Sequence, residues 1–243
     1  MATKLLTPRA LRSLPSSAAA AKRLHLQRSF ITLPGATTEP QKIATSRVLP
    51  YKAASLYTIV ADVDSYSSFL PYCQSSRVTK WSAPDVNGKR WPSQADLKVG
   101  WGGFEETFTS RLFCVPGEVV EALGGEAVTN LAKSALTHHS STFDAPAIAN
   151  NLFQSISTRW TIRPLQQSNS SFVVGGGLGS IDQTEVNLNI EFQFANPIYA
   201  ALSKAVTPKI AGIMIESFEK RAQELLASSL EGEKHNGLDK ISY

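Results

Sequence analysis

Cysteine is nearly absent: only Cys73 and Cys114 occur in 243 residues, forty-one positions apart and with no CxxC partner. This excludes a disulfide framework and supplies no ligand set for structural zinc, so both are expected as reduced thiols. There is no run of 18 apolar residues, so no membrane-spanning helix is predicted and any membrane contact should be peripheral. Histidine is scarce, at four residues, His25 lies in the N-terminal arm, and no GxSxG occurs; a serine hydrolase has little support. Acidic residues are missing from residues 1 to 30, which hold Lys4, Arg9, Arg12, Lys22, Arg23 and Arg28.

That last absence relocates the charge. The whole chain carries a net +4, but from Ile31 onward 18 basic residues stand against 20 acidic ones, a net of −2. The basic arm is also rich in Ser, Ala and Leu, the composition of a mitochondrial transit peptide. Arg28-Ser29-Phe30 suits a matrix-peptidase cut before Ile31. Removing such an arm removes the main electrostatic argument for nucleic acid, leaving a basic RNA- or lipid-binding tail as the other reading of those residues.

With 42% hydrophobic residues the remainder is apolar enough to bury a core. After a Pro/Gly/Thr linker over 31–41, Lys42 to Leu49 reads as a strand stopped by Pro50, and Tyr51 to Asp62 as a helix with Leu56, Ile59 and Val60 on one stripe. Ser65 to Leu70 suits one more turn, and Arg77 to Trp81 a further strand. Four clearer strands alternate with period two. Their inward residues are Ala95, Leu97, Val99 and Trp101; Phe104, Phe108, Leu112 and Cys114; Leu152, Ile156, Trp160 and Ile162; and Val186 through Phe194. No helix of crossover length separates most of them, so the sheet should be antiparallel.

Asn196-Pro197 caps a final helix with Ile198, Leu202, Ala205 and Val206 on one face, and Thr207-Pro208 kinks or restarts it. The stripe resumes through Ile210, Ile213, Met214, Phe218 and Leu225, and the chain is expected to fray after Ser228. The expected organisation is a presequence over 1–30, a linker over 31–41, one α+β domain over 42–230 with a long amphipathic helix on an antiparallel sheet, and a disordered tail over 231–243. Two segments, Ala127 to Asn150 and Gln166 to Asp182, read as inserted loops, the first partly helical.

Chemistry is sparse. Gly175 to Gly179 fails the dinucleotide pattern, because the last required glycine falls on Ser180. His138 and His139, with Asp144 nearby, lack further ligands at metal spacing, so a solvated loop is expected and no metal. Glu106 stands out: its parity places a carboxylate on the face of Phe104, Phe108 and Leu112, which is costly unless the group is paired or wet. Either a pairing flip or bulge at Gly102-Gly103 turns it outward, or it sits at a rim position, or it lies at a cavity lining and contacts a polar ligand head directly or through water. Phe69, Leu97, Val99, Trp101, Phe104, Trp160, Phe194, Leu202 and Met214 are ordinary core residues singly; together they suit an apolar space between a curved sheet and a helix.

The segment Tyr57 to Cys73, reading YTIVADVDSYSSFLPYC, resembles the signature of the mitochondrial coenzyme Q-binding protein family within the START-like, polyketide cyclase-like superfamily. The likeness continues in Ala95 to Gly100, Glu106 to Ser110, Asn151 to Phe153, Trp160 with Ile162, and Phe218 to Ala222, and covers residues 42 to 227. Tyr72 stands where the family often has Trp, the 127–150 segment is longer than usual, and Pro208 interrupts the last helix.

The resemblance implies a helix-grip fold holding ubiquinone in an apolar tunnel, peripheral on the matrix side of the inner membrane. It would serve respiration and quinone biosynthesis as a lipid chaperone, with no reaction catalysed and no cofactor besides the bound quinone. The implied partners are coenzyme Q, the inner membrane surface, and respiratory or quinone-biosynthesis complexes, with no nucleic acid. By the same likeness Leu70, Pro71 and Tyr72 border the cavity, and Phe108, Val206 and Ile210 join the lining. Two other readings stay open: a cyclase or aromatase of the same fold, and a ribosome-associated protein.

Overall fold

The structure is a computed structural model that describes residues 40–101, 103–149, 151–165, 182–203 and 207–238, with backbone alone at 101, 104, 202–203, 207–208 and 228–238. The presequence, nearly all of the linker, the Gly175 to Gly179 cluster and Val206 lie outside the described residues, as do the side chains of Trp101, Phe104 and Leu202.

Among the described residues seven strands form one antiparallel sheet: β1 (Gln41–Leu49), β2 (Cys73–Trp81), β3 (Pro92–Trp101), β4 (Phe104–Val115), β5 (Val119–Gly125), β6 (Phe153–Leu165) and β7 (Gln183–Phe194). Their order is β1-β7-β6-β5-β4-β3-β2. Between β1 and β2 the chain forms α1 (Ala53–Ala61) and a 3-10 turn (Val63–Ser68), which carry it to the far edge. From there it meanders strand by strand back to β7 beside β1. The sheet is curved and open, as the helix-grip reading requires.

Alternation placed most of these strands correctly. In β7, Thr184, Val186, Leu188, Ile190, Phe192 and Phe194 are buried while Asn189 and Glu191 face solvent. β5 was not expected. Its sequence, Val-Val-Glu-Ala-Leu-Gly-Gly, is buried on both faces and so has no period-two signature.

α3 (Pro197–Ser203) and α4 (Thr207–Leu238) follow β7, so the chain restarts a helix at Thr207-Pro208. Asn196 caps α3 as expected, its Oδ1 accepting the Ile198 N–H at 2.9 Å. The predicted faces need correction. Ile198 is exposed and Ala200 buried, with Tyr199 half-buried between them. In α4 the buried stripe is Ala211, Ile215, Phe218 and Ala222, continued by Leu226. Leu225, which the sequence placed on this face, is exposed. The helical backbone also continues to Leu238, past the fraying expected after Ser228. Arg47 of β1 ties α4 to the sheet edge through Glu219 at 3.5 Å and Glu216 at 3.9 Å.

The 127–150 insert is more ordered than a loop. It forms a 3-10 segment (Lys133–His139) and α2 (Ser140–Phe143), which cover the sheet face opposite α4. There Leu136 packs with Phe113 and Leu123 in a second small core, and Phe143 meets Phe113 at 5.0 Å. His138 and His139 are buried, not solvated. β4 pairs with β3 only as far as Arg111, which leaves Cys114 beyond the ladder on that side. The two imidazoles supply what a strand would: Cys114 N–H donates to His139 Nε2 at 3.1 Å, and His138 Nε2 donates to Cys114 O at 3.0 Å.

Candidate functional site

Between the inner face of the sheet and α4 lies a cavity of about 210 Å³ lined by 22 of the described residues. A single water needs only about 10–15 Å³ on such a measure, so the space suits an organic ligand. The lining is built in register. β3 contributes Leu97 and Val99, β4 Phe108, Ser110 and Leu112, and β5 Val120 and Ala122. From β6 come Phe153, Ile156, Thr158 and Trp160, and from β7 Ile190, Phe192 and Phe194. Val63, Tyr66, Leu70, Pro71, Tyr72 and Cys73 close one side; Ile210 and Met214 of α4 form the roof. The alternation that makes these strands amphipathic therefore aims one apolar set at a space the helix does not fill.

Of the sixteen residues expected at the site, ten line it: Leu70, Pro71, Tyr72, Leu97, Val99, Phe108, Trp160, Phe194, Ile210 and Met214. Phe69 does not. It packs between the two inner clusters, edge-on to Tyr66 at 5.7 Å, with the Arg221 guanidinium 6.0 Å over its ring. Trp101, Phe104, Leu202 and Val206 cannot be placed from the described side chains.

Glu106 is also absent from the lining. The β3–β4 register runs unbroken from Gln94↔Arg111 to Trp101↔Phe104, so no bulge turns Glu106 outward and its parity holds. The carboxylate is satisfied instead by the Tyr199 hydroxyl of α3, which donates to Oε1 at 2.5 Å. That hydrogen bond raises the Tyr199 phenol above its ordinary range. Glu106 thus fastens α3 to the hairpin end of β4.

Twelve lining residues are not among the sixteen expected; Leu112, Ile156, Ile190 and Phe192 enter the sequence reading only as inward-facing strand positions, and others carry no periodic signal. Val63 and Tyr66 sit in a 3-10 turn with no longer period to read, and Ser110, Ala122 and Thr158 are small or polar. The Tyr66 hydroxyl is spent, donating to Val60 O at 2.5 Å, and burial pushes its phenol up. Burial also raises the Cys73 thiol, whose Sγ donates to Ser75 O at 3.5 Å. Tyr72 holds a left-handed backbone at φ 65°, unusual for a bulky residue and costing about 1–3 kcal/mol. Its carbonyl accepts the Gly100 N–H at 2.9 Å, which fixes the turn and holds its ring partly exposed at the cavity rim. Among the described residues no group of three His, Cys, Asp or Glu gathers to hold a metal.

The sequence model of polyketide cyclase / dehydrase and lipid transport proteins matches residues 49–219. The chain belongs to that family. The narrower likeness read from the sequence also holds. The mitochondrial coenzyme Q-binding protein coq10 of Schizosaccharomyces pombe is 29% identical over 178 residues, 73% of this chain and 84% of that protein. The ribosome association toxin RatA of Pseudomonas aeruginosa is 24% identical over 183 residues, 75% of this chain and 96% of that one. Among solved structures, a START superfamily protein from Mycobacterium smegmatis superposes with a TM-score of 0.51 at 15% identity, covering 76% of this chain and 98% of that one. That similarity bears on the fold alone.

Proposed function

We propose that this chain binds coenzyme Q in the cavity beneath α4 and acts as a lipid chaperone or carrier that catalyses no reaction. The carrying observation is the lining itself: an unfilled space walled almost wholly by aliphatic and aromatic side chains, with no carboxylate, imidazole or amine among its described residues. A cyclase needs a general acid or base against its substrate; the titratable side chains of the described lining are Tyr66, Tyr72 and Cys73, and Tyr66 and Cys73 already donate to backbone carbonyls. A prenyl tail gains about 0.8 kcal/mol for each CH₂ taken from water, so tail burial dominates affinity.

The relatives named as mitochondrial coenzyme Q-binding proteins and the acid-free basic N-terminus support a mitochondrial location. On this reading the protein works on the matrix side of the inner membrane, serving respiratory electron transport and quinone biosynthesis. No helix among the described residues is long and apolar enough to cross a membrane, which fits peripheral contact. A ribosome partner is the competing reading, and the net −2 from Ile31 onward speaks against strong binding to RNA.

The test is mass spectrometry of lipid extracted from the full chain purified from a quinone-making host. Ubiquinone is expected in the extract, with less from Leu97→Ser. Well-folded protein that yields no quinone, or that co-sediments with ribosomes, overturns the carrier reading.

A further inference from the structure

The cavity carries very few groups that can address a polar ligand. Tyr66 and Cys73 spend their donors on backbone carbonyls, and Tyr72 stands at the solvent rim. Two hydroxyls remain inside, on Ser110 and Thr158. Ser110 is 2% exposed, and neither hydroxyl has a hydrogen-bond partner among the described residues although both side chains line the space. Ser110 is buried and Thr158 half-buried, and polar groups walled in by apolar side chains are normally paired, so two hydroxyls facing the same apolar cavity point to a partner that arrives with the ligand.

Their placement is specific. Thr158 on β6 pairs with Ala122 on β5, and Ala122 pairs with Leu112 on β4, the next inward-facing residue after Ser110. The two hydroxyls therefore flank Ala122, whose methyl leaves the floor between them open. Ser110 lies four residues beyond Glu106, about 13 Å deeper along β4.

We propose that Ser110 and Thr158 are the head-group subsite, donating hydrogen bonds to the carbonyl oxygens of a quinone ring that lies over Ala122. The ring is innermost, and the prenyl tail runs outward past Ile210 and Tyr72. This rests on the carrier reading and adds the orientation of the ligand. The chemistry suits both oxidation states: quinone carbonyls only accept, quinol hydroxyls also donate, and a Ser or Thr hydroxyl does either. A carboxylate such as Glu106 can only accept. An alkyl chain laid in the same place would leave both protein hydroxyls unpaired.

The test uses the full chain with two ligands: ubiquinone carrying two isoprene units, and a prenyl hydrocarbon of equal length without the ring. Ser110→Ala and the isosteric Thr158→Val are made singly and together. In the wild type the infrared carbonyl stretch of bound quinone is expected below its position in hydrocarbon solvent. The double variant should return it there and weaken quinone binding about tenfold to thirtyfold, with hydrocarbon binding unchanged. An unshifted band in the wild type overturns the subsite, as does equal weakening toward both ligands. Wild-type protein that binds neither ligand defeats the carrier reading and the subsite with it. Binding of both with an unshifted band defeats the subsite alone.

Discussion

On β4 and β5 the even-numbered residues face α4 and the odd-numbered ones face the insert, and the two sides are packed very differently. The inner side presents Phe108, Ser110, Leu112, Val120 and Ala122 to an empty space. The outer side presents Arg111, Phe113, Glu121 and Leu123 to a filled one, with exposures from 1% to 9%. Arg111 donates to Ala127 O at 2.8 Å and to Ala145 O at 3.5 Å, clamping both ends of the insert. Glu121, 1% exposed, receives Arg159 Nε at 2.9 Å. The difference teaches a division of labour within single strands. The outer face is held tightly, with polar anchors, and so the inner face can remain unfilled without the sheet collapsing into it.

If that division is real, outer-face changes should cost stability and inner-face changes should cost binding. The largest stability effect is expected from Arg159→Met, which leaves a buried Glu121 carboxylate without its cation. Urea denaturation should show a loss of about 3–5 kcal/mol, with ubiquinone per folded chain unchanged. Leu123→Ala should cost a similar amount, about 2–5 kcal/mol, by opening a cavity in the second core.

Acid should act on the same face. Burial, with a smaller contribution from neighbouring His138, lowers His139 from 6.5 to about 4. Between those values the unfolded chain binds a proton that the folded chain refuses, so stability is complete above pH 6.5 and falls as pH drops toward 4. The loss reaches about 3 kcal/mol at most. His139→Gln keeps an acceptor for the Cys114 N–H and should flatten that part of the profile in pH-dependent denaturation.

The smallest effect belongs at the contact between α3 and β4. Tyr199→Phe removes the hydroxyl that holds α3 to Glu106 and should lower stability only slightly. The transfer of ubiquinone from protein to vesicles should become faster while the melting temperature moves little.

The sequence made the inner face legible wherever polar residues alternate with apolar ones, as in β7, where Asn187, Asn189 and Glu191 mark the wet side. It concealed β5 because Glu121 and Leu123 on one face are as buried as Val120 on the other, so nothing marks an outside. The histidine pair looked solvated for a related reason. A polar side chain that completes a strand edge has the same local spelling as one in a loop, and only the end of the β3–β4 ladder at Arg111 shows that Cys114 needed partners. Bulky cavity residues such as Trp160 and Phe194 were readable from periodicity, whereas Ala122, Ser110 and Thr158 matter by leaving space or offering a hydroxyl, which no period records.

The decisive measurement is ubiquinone retained per chain by Ala122→Phe, beside the wild type. A ring added there occupies the space between Ser110 and Thr158, so bound quinone should fall more than tenfold while stability stays within about 1–3 kcal/mol of the wild type. A folded Ala122→Phe protein that still carries as much ubiquinone as the wild type would show that the lipid is held elsewhere.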